Sequence, residues 1–213
     1  MTVGIGIIVN PKGKRKPYFL IGADSKKKDI IDIEDGVPRY VYSDDFMKIY
    51  EVKNIVYMSA GAVPGEFFEV IQSYMNTNQK QFHEMCRELL EFVYEYFEEQ
   101  LKVIPFEYMR VRMVLCTIIE DVPEMALIEV DTRNPIVKRV DFFKQDKKGF
   151  HVEFIGNTKK TTDLQDEFIK NMGKKKNITF YDVKNDADKY LKAAAKRYPD
   201  TCNENTNFKP KKL

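Results

Sequence analysis

The reading of this chain turns on Phe46-Met47-Lys48-Ile49-Tyr50-Glu51-Val52, a turn at Lys53-Asn54, then Ile55-Val56-Tyr57-Met58-Ser59-Ala60-Gly61 and Ala62-Val63-Pro64-Gly65. It reads as two short strands and a glycine turn that leads into a helix. In the first half, alternation puts Phe46, Lys48, Tyr50 and Val52 on one face and Met47, Ile49 and Glu51 on the other. The second half is a near-continuous apolar run, the pattern of a strand covered on both faces. A lysine beside such a strand must reach water, pair with a carboxylate or lose its proton. The plain alternative is a lysine on a solvated strand face.

Upstream, Thr2 to Val9 is rich in β-branched residues and strand-like, and its glycines suggest close approach by another backbone. A turn-rich basic connection, Asn10 to Pro17, joins it to a second strand, Tyr18 to Asp24, so the two form a hairpin. The polar excursion from Ser25 to Asp45 holds short β-like pieces at 30–33 and 37–42. An excursion of that length suggests a lid or a partner contact. Downstream, Phe67, Phe68, Ile71, Tyr74 and Met75 form one helical stripe. Phe82, Met85, Cys86, Leu89, Leu90, Val93, Tyr96, Phe97 and Leu101 form a second, longer one. Strands follow at 112–119, 125–131, 136–143 and 151–155, then amphipathic helices at about 163–172 and 186–197. Residues 201–213 read as a polar, loosely held tail after a single domain over 1–200. Strand runs alternating with helix pairs imply layers, and short turns between strands imply antiparallel pairing. The expected architecture is an α+β, four-layer α-β-β-α sandwich of two antiparallel sheets flanked by helices.

Composition narrows the chemistry. At 213 residues, with 43% apolar and 32% charged side chains, the chain has enough to build a core without staples. The net charge of +2 shows no bulk pull toward nucleic acid, and the lysine runs at 26–28, 174–176 and 211–212 read as solvated loops. No stretch suits a membrane span or a signal peptide. Cys86, Cys116 and Cys202 show no metal-ligand spacing and fit a reducing cytoplasm. Only His83 and His151 are present, both expected in structural roles. There is no phosphate-binding or dinucleotide-binding glycine motif, so no metal or cofactor is expected.

Thr2-Val3-Gly4-Ile5, Gly22-Ala23-Asp24, Lys48-Ile49-Tyr50 with Met58-Ser59-Ala60-Gly61, and Gly156-Asn157-Thr158 occur in an order that resembles the proteasome β-subunit family of N-terminal-nucleophile hydrolases. The resemblance covers about residues 1–200 and is most specific over 46–61. It implies a threonine peptidase or amidohydrolase in which an N-terminal threonine supplies both a hydroxyl nucleophile and a free amine as base. Carried over by motif, Thr2 is the nucleophile once Met1 is removed, Asp24 and Lys48 support it, and Gly61 donates to the oxyanion. Asn157 stands where the family usually has a serine, and Asp200 matches an aspartate that supports the nucleophile. A peptide or amide substrate and a homo-oligomeric ring or cage are implied as well. In the family, however, the threonine lies a few residues before the Val-Gly pair. Here Thr2 abuts Val3-Gly4, which shifts it about 6–7 Å along the strand. That spacing favours the alternative, a catalytically inactive proteasome-like subunit with a structural, assembly or binding role.

Overall fold

The structure, a computed structural model, describes residues 2–34, 37–43, 48–104, 106–156, 159–200 and 202–212. Strand β1 (Val3–Asn10) and strand β2 (Tyr18–Asp24) form the expected hairpin, with Gly4 opposite Ala23 and Val9 opposite Tyr18. Their outer edges are covered by segments from far along the chain. Strand β10 (Gly149–Gly156) pairs with β1, and β11 (Thr206–Lys212) pairs with β2, giving the order β10-β1-β2-β11. The second sheet is an antiparallel meander of β5 (Ile49–Val52), β6 (Ile55–Ala62), β7 (Arg110–Ile119), β8 (Val122–Asp131) and β9 (Val137–Lys144). Between the two sheets in sequence, β3 (Lys27–Glu34) and β4 (Val37–Ser43) pair, among the described residues, only with each other.

Alternation along each strand sorts the apolar residues into three layers. Ile8, Phe19, Ile21 and Ala23 of the first sheet meet Ile49, Met58, Val114 and Leu127 of the second between the sheets. The glycines of β1 face this layer. A Cβ on Gly4 would lie 2.8 Å from Met58 Sδ, and one on Gly6 would lie 2.5 Å from Val114 Cγ1. Their absent side chains let the sheets close on each other, the close approach expected from the sequence. The opposite face of β1 (Val3, Ile5, Ile7 and Val9) packs under α3 (Thr162–Lys174) and α4 (Phe180–Lys196). Helices α1 (Phe67–Thr77) and α2 (Phe82–Leu101) cover the outer face of the meander. Phe82, Met85, Leu89, Val93 and Phe97 are buried at the three-four spacing the sequence shows. The result is the α-β-β-α sandwich. Among the described residues no helix is long and apolar enough to cross a membrane.

Three local expectations change. The last stretch is not a loose tail: Thr206–Lys212 pairs residue by residue with Asp24–Tyr18, because β2 would otherwise present an unpaired edge. Phe208 fills the space above Gly22, where a Cβ would sit 2.4 Å from the ring, and Lys209 and Lys211 reach Glu51 of β5. Proline and lysines are tolerated in β11 because it is an edge strand. Second, α4 begins at Phe180, well before the expected start. Thr179 and Asp182 form a capping box that satisfies the first-turn N–H groups. Third, the strand expected from Phe46 begins at Ile49, with Phe46 and Met47 outside the described residues. Lys48 therefore lies just before the strand, and alternation does not set its direction. Tyr50 and Val52 face the α1–α2 layer, whereas Lys48 turns across to the first sheet.

Candidate active site

One end of the inter-sheet space gathers the starts and ends of several strands. Asp24 closes β2, Lys48 stands before β5, and Thr2 precedes β1. All three are buried, with exposures of 0%, 3% and 8%. The Asp24 carboxylate organises the corner. Its Oδ1 accepts from the backbone N–H of Val3 at 2.9 Å, its Oδ2 accepts from the backbone N–H of Lys26 at 3.1 Å, and both oxygens accept from Lys48 Nζ at 2.9 Å. Four hydrogen bonds from three donor groups on one buried carboxylate explain how the charge is tolerated there. Among the described residues the Lys48 ammonium bonds to Asp24 alone.

Burial holds the Lys48 ammonium below the ordinary lysine range, and the Asp24 carboxylate opposes this by charge and hydrogen bonding. Desolvation wins because a strongly hydrated point charge has lost nearly all its water. Cys202, itself buried, lies near enough that a thiolate there would favour the charged amine. The chain after α4 forms one wall of the corner. Pro199 O accepts from Lys26 Nζ at 2.9 Å, and Asn203 Oδ1 accepts from both the backbone N–H and the hydroxyl of Ser25 at 3.2 Å.

Thr2 is seated by backbone contacts. Alternation gives it the face of Gly4 and Gly6, toward the second sheet. Gly156, at the end of β10, has φ +94°, and a Cβ there would lie 1.6 Å from the Thr2 carbonyl oxygen. Only glycine permits that backbone geometry and that contact. Gly61 lies near the end of β6 opposite Val111, with the Arg110 carbonyl where its Cβ would be. Among the described residues the β5 ladder stops at Ile49 opposite Met58, so the stretch of β6 from Ser59 to Ala62 has no β5 partner.

Asp24 and Lys48, distant in sequence, thus meet in one hydrogen-bonded corner, which reaches the chain next to Thr2 through the Val3 N–H. Asp200 is exposed in the turn after α4, and among the described residues no hydrogen bond joins it to Asp24 or Lys48. Its neighbours Pro199 and Asn203 make the contacts with the corner instead. Asn157 lies outside the described residues. Sequence reasoning did not single out Ser25, Asn203 or the Val3 amide, since a backbone donor and an amide from a distant loop leave no motif. The histidines lie elsewhere. His83 Nε2 is 3.0 Å from Glu124 Oε2, and His151 stacks on Phe143 with a 4.0 Å centroid separation. Cys86 and Cys116 are buried among apolar side chains, which pushes both thiols well above their ordinary range. Among the described residues no group of three or more acidic, histidine or cysteine side chains is arranged to hold a metal.

No protein-family model matches the chain, and no curated protein matches it in sequence. Among solved structures it is similar to Thiobacillus denitrificans BPH in complex with epoxomicin, at a TM-score of 0.58 and 14% identity over 98% of each chain. At that identity the likeness shows the fold, a proteasome-like sandwich, over the whole length of the chain.

Proposed function

We propose that this protein is a proteasome-like threonine hydrolase of peptide or amide bonds, with Thr2 as nucleophile after removal of Met1. The observation that carries the reading is the buried link from Lys48 through Asp24 to the Val3 N–H. It ties the start of the chain to a buried lysine whose pKa is lowered by burial. In this scheme the Thr2 hydroxyl attacks the substrate carbonyl and its proton passes to the free α-amine, whose pKa near 8 suits a base at neutral pH. The Lys48 charge lowers the cost of the developing alkoxide, and the Gly61 amide, on the part of β6 beyond its pairing with β5, donates to the oxyanion. The amine then protonates the leaving group, and water hydrolyses the ester. The complex of the similar Thiobacillus denitrificans chain with epoxomicin is compatible with a reactive pocket in this fold.

A second reading, a non-catalytic scaffold, is favoured by one observation. Thr2 is only 8% exposed and its carbonyl is pressed onto Gly156, so the nucleophile has little room to move. Intact mass of the purified protein, with and without a threonine-directed β-lactone, separates the two. Loss of Met1 and a single adduct on Thr2, absent in Thr2→Ala, supports the hydrolase. Retained Met1 with no adduct leaves the scaffold.

A further inference from the structure

The register of the first sheet brings four lysine-bearing segments to one end of the molecule. Asn10 closes β1 opposite Gly149 of β10, and Tyr18 opens β2 opposite Lys212 of β11. The connection 11–17, the loop 145–149 and the strand end 211–212 therefore lie side by side. Four adjacent strands at ~4.8 Å spacing span about 15 Å. The turn between α3 and α4 joins them. The Phe180 ring packs edge-on to Tyr18 at 5.6 Å, and Lys212 Nζ sits 3.9 Å over the Phe180 ring. The Asp182 carboxyl lies below its ordinary range, first through the Thr179 hydrogen bond and then through the charges of Lys175 and Arg15. That places Arg15 of the hairpin loop beside the start of α4.

Charge is segregated as a result. Segments 11–17, 145–149, 174–186 and 211–212 hold twelve basic and three acidic side chains, against twenty-three and thirty in the remainder. These four segments thus carry nine net positive charges and the remainder of the near-neutral chain seven net negative ones, many of them on α2, while Lys211 of the basic set is paired with Glu51. Lys12, Lys14, Arg15, Lys16 and Lys147 are all exposed. Amid them Tyr181 is 74% exposed, the second most exposed large apolar side chain described.

We propose that this basic end binds single-stranded nucleic acid, its lysines and arginine contacting the phosphate backbone and Tyr181 stacking on a base. A row of cations with an open aromatic ring suits a strand whose bases are unpaired, since stacking needs a free π-face. The surface is independent of the Thr2 reading. It lies at the far end of β1 from Asp24 and Lys48, about 23 Å along the strand, and its test involves no catalysis.

The test is fluorescence anisotropy of a labelled 12-nucleotide single strand, titrated with the full chain at 50 to 200 mM salt. If about four phosphates are neutralised, log K falls with log salt at a slope of about −3, and binding weakens about fiftyfold over that range. Replacing Lys14, Arg15 and Lys16 together by Ala reduces the slope by about two. Tyr181→Ala weakens binding about fivefold or more and leaves the slope unchanged. Lys102→Ala, at the other end of α2 and about 30 Å from Phe82, has no effect. Absence of binding at 50 mM salt overturns the proposal, as does equal loss in the triple variant and Lys102→Ala. Light scattering provides a further arm. If the triple variant alters only self-association, the basic end is a contact between copies and the proposal falls.

Discussion

Replacing Asp24 by Ala tests whether one carboxylate holds the candidate site together. The substitution removes four hydrogen bonds at once and leaves two buried groups without their partner. Lys48, with a side chain only 4% exposed, would keep an uncompensated charge or lose its proton. Breaking a buried pair this way costs about 3–5 kcal/mol. The Val3 N–H, inside a fully buried residue, adds about 1–2 kcal/mol when unsatisfied, whereas the partly exposed Lys26 amide can turn to water. The expected loss is about 4–7 kcal/mol. At roughly 2–4 °C per kcal/mol for a chain of this size, that lowers Tm by about 8–28 °C. Lys48→Met should cost less, about 2–3 kcal/mol, because Asp24 retains two backbone donors. The double variant Asp24→Ala/Lys48→Met should be more stable than the sum of the single losses implies, since it leaves no buried charge behind. Urea unfolding of the four proteins measures all three quantities. If Asp24→Ala lies within ~1 kcal/mol of the parent, or if the single losses simply add, the carboxylate does not organise this corner.

Gly156→Ala should destabilise the protein by about 2–3 kcal/mol, because the new Cβ collides with the Thr2 carbonyl and φ is +94°. The displacement should be seen as faster hydrogen exchange at Val3 and Gly4, with no change in α2. The lowered Lys48 pKa gives a signed pH dependence. Between its folded value and 10.5 the unfolded chain binds more protons, so the Lys48 contribution to stability rises with pH and is absent in Lys48→Met. Burial of Tyr18 and Tyr57 raises their hydroxyls, so above pH 10 these groups act in the opposite sense, and a stability profile falling steadily from pH 8 would contradict the assignment. Thr179→Ala removes the capping box of α4 and should cost about 1 kcal/mol, while Thr179→Ser should restore most of it. Equal stability of the two variants in urea would show that the cap contributes nothing.

Much of this architecture was legible because it depends on local periodicity. The spacing of Phe82, Met85, Leu89, Val93 and Phe97 is helical in any context where one face is buried. The apolar run from Ile55 to Ala60 reads as a covered strand for a similar reason. The hairpin of β1 and β2, the antiparallel meander and the layer order follow from such patterns and from short turns. Thr2, Asp24 and Lys48 were proposed from the order of their motifs, and of these the structure pairs Asp24 with Lys48.

What the sequence could not decide depends on groups that meet only after folding. The stretch Thr206–Lys212, rich in lysine and broken by Pro210, carries no strong strand signal of its own; it is a strand because β2 has an edge to satisfy and Phe208 has a glycine to cover. The direction of Lys48 was misread because alternation governs residues inside a strand, and Lys48 stands just outside one. The Val3 amide, the Asn203 side chain and the backbone of Gly156 shape the corner through contacts between distant segments that no local pattern records. Net charge is the same kind of quantity: the sequence determined that it is +2, and only the register of four strands decided that its basic segments lie side by side. Local periodicity is encoded residue by residue, whereas edges, corners and electric fields belong to the assembled sheets.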